Sequence, residues 1–161
     1  MSIDSIAGPF QPGHNHKVCI RDAMNIAEQL CQSKDLRLTK IRKRVLELVW
    51  TGHEPATAYQ LLKKLRAERE NAEPPTVYRA LDFLVEHNLV HRIESLNAFI
   101  GCDHPESEHV SQFLICSHCN QVAELDDSVT INNAVSEEAN RLGFRVSDQT
   151  VEIMGLCAAC Q

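Results

Sequence analysis

Residues 74–94 read PPTVYRALDFLVEHNLVHRIE, and the fold turns on this stretch. Pro74 and Pro75 suit the first turn of a helix, where the backbone N–H has no partner to lose and the fixed φ is already helical. Val77, Leu81, Leu84 and Val85 fall on one face at helical spacing, while Thr76, Arg79, Asp82 and Glu86 fall on the other. Asn88 tolerates the left-handed backbone that ends a helix. Two β-like runs follow, Val90 to Glu94 and Ala98 to Cys102, joined through Ser95-Leu96-Asn97 as a hairpin. An amphipathic helix running straight into a two-stranded ribbon predicts a winged helix, a helix-turn-helix variant that lays its last helix in the major groove of DNA.

Toward the N-terminus, Thr57 and Gln60 form the pattern of a capping box ahead of Leu61, Leu62 and Leu65. Thr39 caps an earlier helix with a buried stripe of Ile41, Val45, Leu48 and Val49 ending near Gly52; its other face carries Lys40, Arg42, Lys43 and Arg44. Asp22 to Gln32, with Ala23, Ile26, Ala27 and Leu30 at helical spacing, predicts the first helix. Residues 1–20 contain Gly8, Pro9, Pro12 and Gly13 and lack the basic start and apolar core of a secretory signal, so they read as a flexible tail, leaving 21–102 as the winged-helix domain. His14, His16 and His53 fall in tail or loop positions, and Cys31 reads as a small buried apolar residue.

Toward the C-terminus, the polar run Asp103-His104-Pro105-Glu106-Ser107-Glu108 predicts a loop or hinge over 103–111. Strand-like segments Gln112 to Cys116, Gln121 to Leu125 and Arg145 to Met154 follow, with a helix from Ser128 to Leu142 closed by Gly143. The expected class is therefore α+β: a winged helix-turn-helix domain, then a small α/β domain over 112–161.

The net charge of -6 opposes phosphate binding at first sight, but it is divided unevenly. Residues 34–92 hold 12 Lys or Arg against 8 Asp or Glu, a net +4, whereas residues 93–161 hold 2 against 11, a net -9. The N-terminal half is the candidate phosphate-facing part. A 43% apolar and 24% charged composition is that of an ordinary globular protein, and no apolar run approaches the ~20 residues that cross a bilayer, so a membrane partner is not expected. Without an export signal the chain is expected in the cytoplasm, where its seven cysteines would meet a reducing medium and metal binding outranks disulfides.

Cys116-Ser117-His118-Cys119 and Cys157-Ala158-Ala159-Cys160 are two C-x-x-C pairs, each able to present two thiolates to one tetrahedral zinc. A redox pair is the competing use of C-x-x-C, but it gives no reason for a second pair. A four-thiolate zinc has no open coordination position, so it staples a domain and cannot activate water. His91, Cys102, His109 and Glu124 form a second group of potential ligands, with His104, Glu106 and Glu108 as rival donors nearby. Spacing alone does not decide among them.

The chain resembles the ferric uptake regulator family, and within it most closely the zinc uptake regulators. The resemblance rests on Arg37-Leu38-Thr39, on Pro75 to Leu84, on Val90-His91-Arg92-Ile93-Glu94-Ser95, on Phe113-Leu114-Ile115-Cys116 with Cys119, and on Gly155-Leu156-Cys157-Ala158-Ala159-Cys160. It runs from about Asp22 to Gln161. It implies a homodimeric repressor of zinc-uptake genes that binds double-stranded operator DNA when zinc is plentiful, with 112–161 as the dimerisation and metal-binding domain. It also implies two zinc ions per chain, a structural one on Cys116, Cys119, Cys157 and Cys160 and a regulatory one on His91, Cys102, His109 and Glu124. Arg79 would then read a base edge, with Thr76, Tyr78, Tyr59, Lys40, Arg42 and Arg44 on the surrounding DNA. Relatives that sense iron, manganese or peroxide usually carry a histidine-rich segment before the first cysteine pair; here it reads Glu108-His109-Val110-Ser111. Where relatives often have Pro-Gln after the helix-capping threonine, this chain has Lys40-Ile41. A zinc hydrolase is a rival from another class, but it needs an open ligand position, and no small-molecule substrate or enzymatic activity is expected. A zinc-stapled interaction module is a second rival, and it leaves the basic helix and Arg79 without a role.

Overall fold

A computed structural model describes residues 16–52, 54–107, 110–125 and 129–161, with only the backbone of His16. The expectations for the tail over 1–15, for the side chain of His16, and for His14, His53, Glu108, His109 and Ser128 lie outside these residues. Helix α1 spans His16–Ser33, so the tail expected over 1–20 is too long: residues 16–20 are helical. The Gly and Pro residues that argue for a tail end at Gly13, and Ile20 continues the stripe of Met24, Ala27 and Cys31 into the core. Cys31 is 2% exposed, as expected of a small apolar residue.

Helix α2 (Lys40–Trp50) starts at Thr39, whose Oγ1 accepts the Arg42 N–H at 3.4 Å, and buries Val45, Leu46, Leu48, Val49 and Trp50. Helix α3 (Ala58–Glu68) starts with the reciprocal pair the sequence predicts: the Gln60 N–H donates to Thr57 Oγ1 at 3.2 Å and the Thr57 N–H donates to Gln60 Oε1 at 2.8 Å. Helix α4 (Pro74–Glu86) opens on its two prolines, buries Val77, Ala80, Leu81, Phe83 and Leu84, and is followed by Asn88 at φ 57°. Leu61, Leu65, Val45 and Leu84 lie at the centre of the core these helices share. Strands β1 (Val90–Ile93) and β2 (Ala98–Gly101) then form the antiparallel wing, with Asn97 at φ 46° in its turn. Gly101 has no room for a side chain, since a Cβ there would stand 2.2 Å from the Trp50 ring.

The second sheet has the order β4-β3-β5, with β3 (Ser111–Cys116) central, β4 (Val122–Glu124) antiparallel to it and β5 (Thr150–Gly155) parallel. A parallel neighbour requires a crossover, which α5 (Val129–Arg141) provides before Gly143 closes it at φ 68°. Buried Gln112 ties that helix to the sheet, its Nε2 donating to Asn132 Oδ1 at 3.1 Å. The strand expected over Arg145 to Met154 is shorter than predicted: residues 145–149 precede it as irregular chain, and the Asp148 side chain accepts the Gln149 N–H at 2.9 Å. Such a local side-chain bond favours a turn over a ladder. The expected Gln121 to Leu125 strand likewise contracts to Val122–Glu124.

The wing and this sheet share a second apolar cluster. Buried Ile93 packs with Phe113, Ile115 and Val122, and Leu96 and Ile100 cover it from the wing side. Burial of this seam holds the wing on the sheet, because each large aliphatic side chain fully removed from water contributes about 1.5–3 kcal/mol.

Candidate metal centres and nucleic-acid face

The parallel pairing of β3 and β5 places Cys116 opposite Gly155, so both strands end side by side and their following turns carry the two C-x-x-C pairs to one point. The ligand atoms of Cys116, Cys119, Cys157 and Cys160 all lie within 4.8 Å of one another. Cys119 Sγ and Cys157 Sγ are 3.8 Å apart. A tetrahedron with Zn–S of about 2.3 Å has an edge of about 3.8 Å, so the donor set fits zinc in both chemistry and size. Backbone N–H groups of Cys119, Cys157 and His118 aim at Cys116 Sγ, the Cys157 one at 3.4 Å, and pull its pKa down to about 6. The Cys160 thiol is pushed up to about 12 by hydrogen bonding to the Cys157 thiol and by burial.

The other group that could hold a metal among the described residues is His91, Cys102 and Glu124, again within 4.8 Å of one another. His91 lies on β1, Cys102 just past β2, and Glu124 at the end of β4, so two ligands belong to the wing and one to the sheet across the seam. His91 is 8% and Cys102 3% exposed. His91 Nε2 stands 3.1 Å from Glu124 Oε1, close to the edge of about 3.3 Å expected between two ligands held at about 2.0 Å from zinc. The other ring nitrogen, Nδ1, is 3.1 Å from Ser111 Oγ, which leaves Nε2 facing Glu124. Burial, and next the Glu124 carboxylate, push the Cys102 thiol far above its ordinary range, so a bound cation there must displace a tightly held proton. The rival donors His104 and Glu106 stand outside this group, and both are exposed. His109 lies outside the described residues, two positions before Ser111.

In the N-terminal unit, Tyr59 is 75% and Tyr78 54% exposed. Arg79 and Lys40 are exposed and Thr76 is half-buried. The remaining basic residues of α2 are engaged within the fold. The Arg42 guanidinium lies 3.6 Å over the Phe83 ring and donates to Arg37 O at 2.6 Å. Arg44 donates to Glu47 Oε2 and, through Nε, to Glu68 Oε2, each at 2.8 Å, and Lys43 pairs with Glu28. The sequence shows the positive stripe but not these partners, of which Phe83, Glu68 and Glu28 come from other helices. Nor does it single out Ser111, whose position beside His91 is purely tertiary. No described helix is long and apolar enough to cross a membrane.

The family model described as the ferric uptake regulator family matches residues 33–154. The zinc uptake regulation protein of Escherichia coli (strain K12) is 37% identical over 147 residues, covering 89% of this chain and 84% of the relative. A zinc uptake regulator complexed with zinc and DNA superposes with a TM-score of 0.83 at 36% identity, over 87% of this chain and 93% of that one. Holo XcZur, 42% identical, gives 0.78 over 86% of this chain and 96% of its own. Apo XcZur, 41% identical, gives 0.50 although 88% of this chain and 97% of that chain are covered.

Proposed function

The chain belongs to the ferric uptake regulator family, and on that premise we propose that it is a zinc-responsive DNA-binding repressor, acting in the cytoplasm as a homodimer and controlling zinc-uptake genes. One observation carries the reading: His91 and Cys102 from the wing and Glu124 from the sheet converge across the seam. Occupancy of that group and the angle between the two units are therefore one variable. The fall in TM-score from 0.78 to 0.50 between the holo and apo forms of one relative, at nearly equal identity, supports two arrangements of the same parts, of which this chain is more similar to the holo one.

Cys116, Cys119, Cys157 and Cys160 would hold a structural zinc, and His91, Cys102 and Glu124, with His109 as fourth ligand, a regulatory one, making two per chain. Zinc would staple the turns after β3 and β5 at the first and join wing to sheet at the second. The chain's own residues do the rest. The wing, fixed on the sheet, sets the direction of α4. Arg79 then reaches base edges, while Lys40, Tyr59, Tyr78 and Thr76 meet the backbone. The sheet exposes Leu114 and Ile153, paired on one face, and Leu156 lies exposed just past the strand end, an apolar surface suited to a second copy of the chain. Two copies present two recognition helices to two half-sites, and a wrong domain angle spoils the spacing of both. Metal and operator bind the same arrangement, so each must tighten the other by one common factor. The four-cysteine group leaves no open position for substrate, and with His109 as fourth ligand the seam group would leave none either, as a regulator rather than a hydrolase requires.

Titration of operator binding against buffered free zinc, iron and manganese tests the proposal. Affinity is expected to rise with zinc in the range where the seam group fills. Operator binding that follows iron or manganese, or that ignores all three, would replace this reading.

A further inference from the structure

A hairpin turn leaves N–H groups pointing outward, and these must find water or another acceptor. In the wing turn two of them find a carboxylate from far along the chain. The Glu94 N–H donates to Glu152 Oε1 at 2.6 Å and the Ser95 N–H donates to Glu152 Oε2 at 3.1 Å, across sequence separations of 58 and 57 residues. Both carboxylate oxygens are thus committed to adjacent backbone groups, a bidentate grip that fixes direction as well as distance. Glu152 is half-buried, and Glu94 is turned to its own strand by a pair with Arg92 at 3.3 Å.

The register gives this contact its meaning. Phe113 on the central strand is paired with Glu124 on one side and with Glu152 on the other, so the two glutamates flank one buried ring in a single row across the sheet. Residues paired across neighbouring strands share a face, and the outer members of such a row lie roughly 10 Å apart. Glu124 meets the base of the wing through His91 and Cys102, and Glu152 meets its tip through Glu94 and Ser95. Between them lies the apolar seam of Ile93, Leu96 and Ile100. The base contact has the composition of a metal group; the tip contact uses only hydrogen bonds and needs no metal.

We infer that Glu152 is a positioning residue for DNA binding: it clamps the wing tip to β5, so that the metal group at the wing base closes a unit already held at its far end. The seam is apolar and gives no direction of its own, whereas two polar grips about 10 Å apart, one at each end of it, set an angle. The clamp favours the DNA-ready arrangement before metal binds and thereby sets how much zinc is needed to complete it.

This inference rests on the repressor reading for its effect on DNA but not for its effect on the wing, and the test separates the two. In the full-length, zinc-loaded protein, amide exchange at Glu94 and Ser95 is slow in the wild type and fast in Glu152→Ala. The zinc affinity of the seam group in Glu152→Ala, read by chelator competition, falls roughly tenfold, the weight of about one charge-assisted hydrogen bond. Operator affinity at limiting zinc falls with it by reciprocity, while nonspecific DNA affinity, the four-cysteine zinc and the dimer are unchanged. Glu152→Gln, which keeps one acceptor oxygen, gives an intermediate loss. Wild-type exchange and wild-type zinc affinity in Glu152→Ala would overturn the clamp. Loss of the four-cysteine zinc or of the dimer in both variants would overturn it too, by showing that Glu152 merely holds β5 in the sheet. If wild-type protein ignores operator DNA, the repressor reading fails while exchange and zinc affinity still decide the clamp.

Discussion

The two metal groups differ in where their ligands come from, and that difference separates structure from sensing. Cys116, Cys119, Cys157 and Cys160 sit on turns at the ends of two adjacent strands of one sheet. His91 and Glu124 lie on strands of two different sheets, Cys102 lies just past β2, and the three meet across a seam. A closed group inside one sheet can only add to the stability of that sheet. A group whose ligands belong to two bodies ties its occupancy to their relative placement, and so can be read by anything that recognises the placement.

The largest effect expected from breaking this contrast is at the four-cysteine group. Cys116→Ser or Cys160→Ser should unfold or monomerise the C-terminal unit, since a structural zinc contributes on the order of 10 kcal/mol of binding free energy that serves as folding free energy. Zinc stoichiometry with size-exclusion chromatography reads this out, and a normal dimer with full zinc content would end the assignment.

Cys102→Ser should do the opposite: the variant folds, dimerises and keeps one zinc per chain, yet its operator affinity falls toward the nonspecific level, on the order of 10³-fold or more. His91→Ala should match it. A Cys102→Ser protein that keeps two zinc ions and zinc-dependent repression would make the seam group something other than the switch.

Acid should act on both groups alike. Burial raises the Cys102 thiol, and hydrogen bonding to the Cys157 thiol raises that of Cys160, so a cation at either group must displace a tightly held proton. Zinc affinity at both groups should therefore fall as pH falls. A pH-stepped chelator competition in which either ion was held independently of pH would contradict thiolate ligation at that group.

The smallest effects lie on the DNA side, where neither metal group should respond. Arg79→Ala is expected to lose roughly 1–3 kcal/mol of preference for operator over random DNA at unchanged zinc content. Lys40→Ala should weaken all DNA alike. Competition binding with operator and scrambled duplexes separates the two outcomes, and an unchanged specificity ratio in Arg79→Ala would move the base contact elsewhere.

The four-cysteine group was legible because its signal is local: two C-x-x-C pairs announce themselves at fixed spacing, as do the Thr57 and Gln60 cap and the Asn88 helix end. The seam group was not. Its ligands are scattered among equally plausible donors such as His104 and Glu106, and only the resemblance selected among them before the strands brought three together. Helix and strand starts drifted where composition was the guide, at His16 and at Thr150. Contacts between distant elements left no trace in periodicity: Arg42 over Phe83, Arg44 with Glu68, Ser111 beside His91, and Glu152 at the wing turn.

The close approach of Gly101 to Trp50 gives the molecule an optical reporter of its own. The chain has one tryptophan, 6% exposed, pressed against the glycine that immediately precedes Cys102. Any change in charge or position at Cys102 is felt by an indole whose emission depends on its local field. Filling the seam group should therefore alter the colour or yield of fluorescence from native protein, without a dye, while filling the four-cysteine group leaves it nearly constant. A zinc titration that changed emission equally in wild type and Cys102→Ser would show that the ring responds to something else.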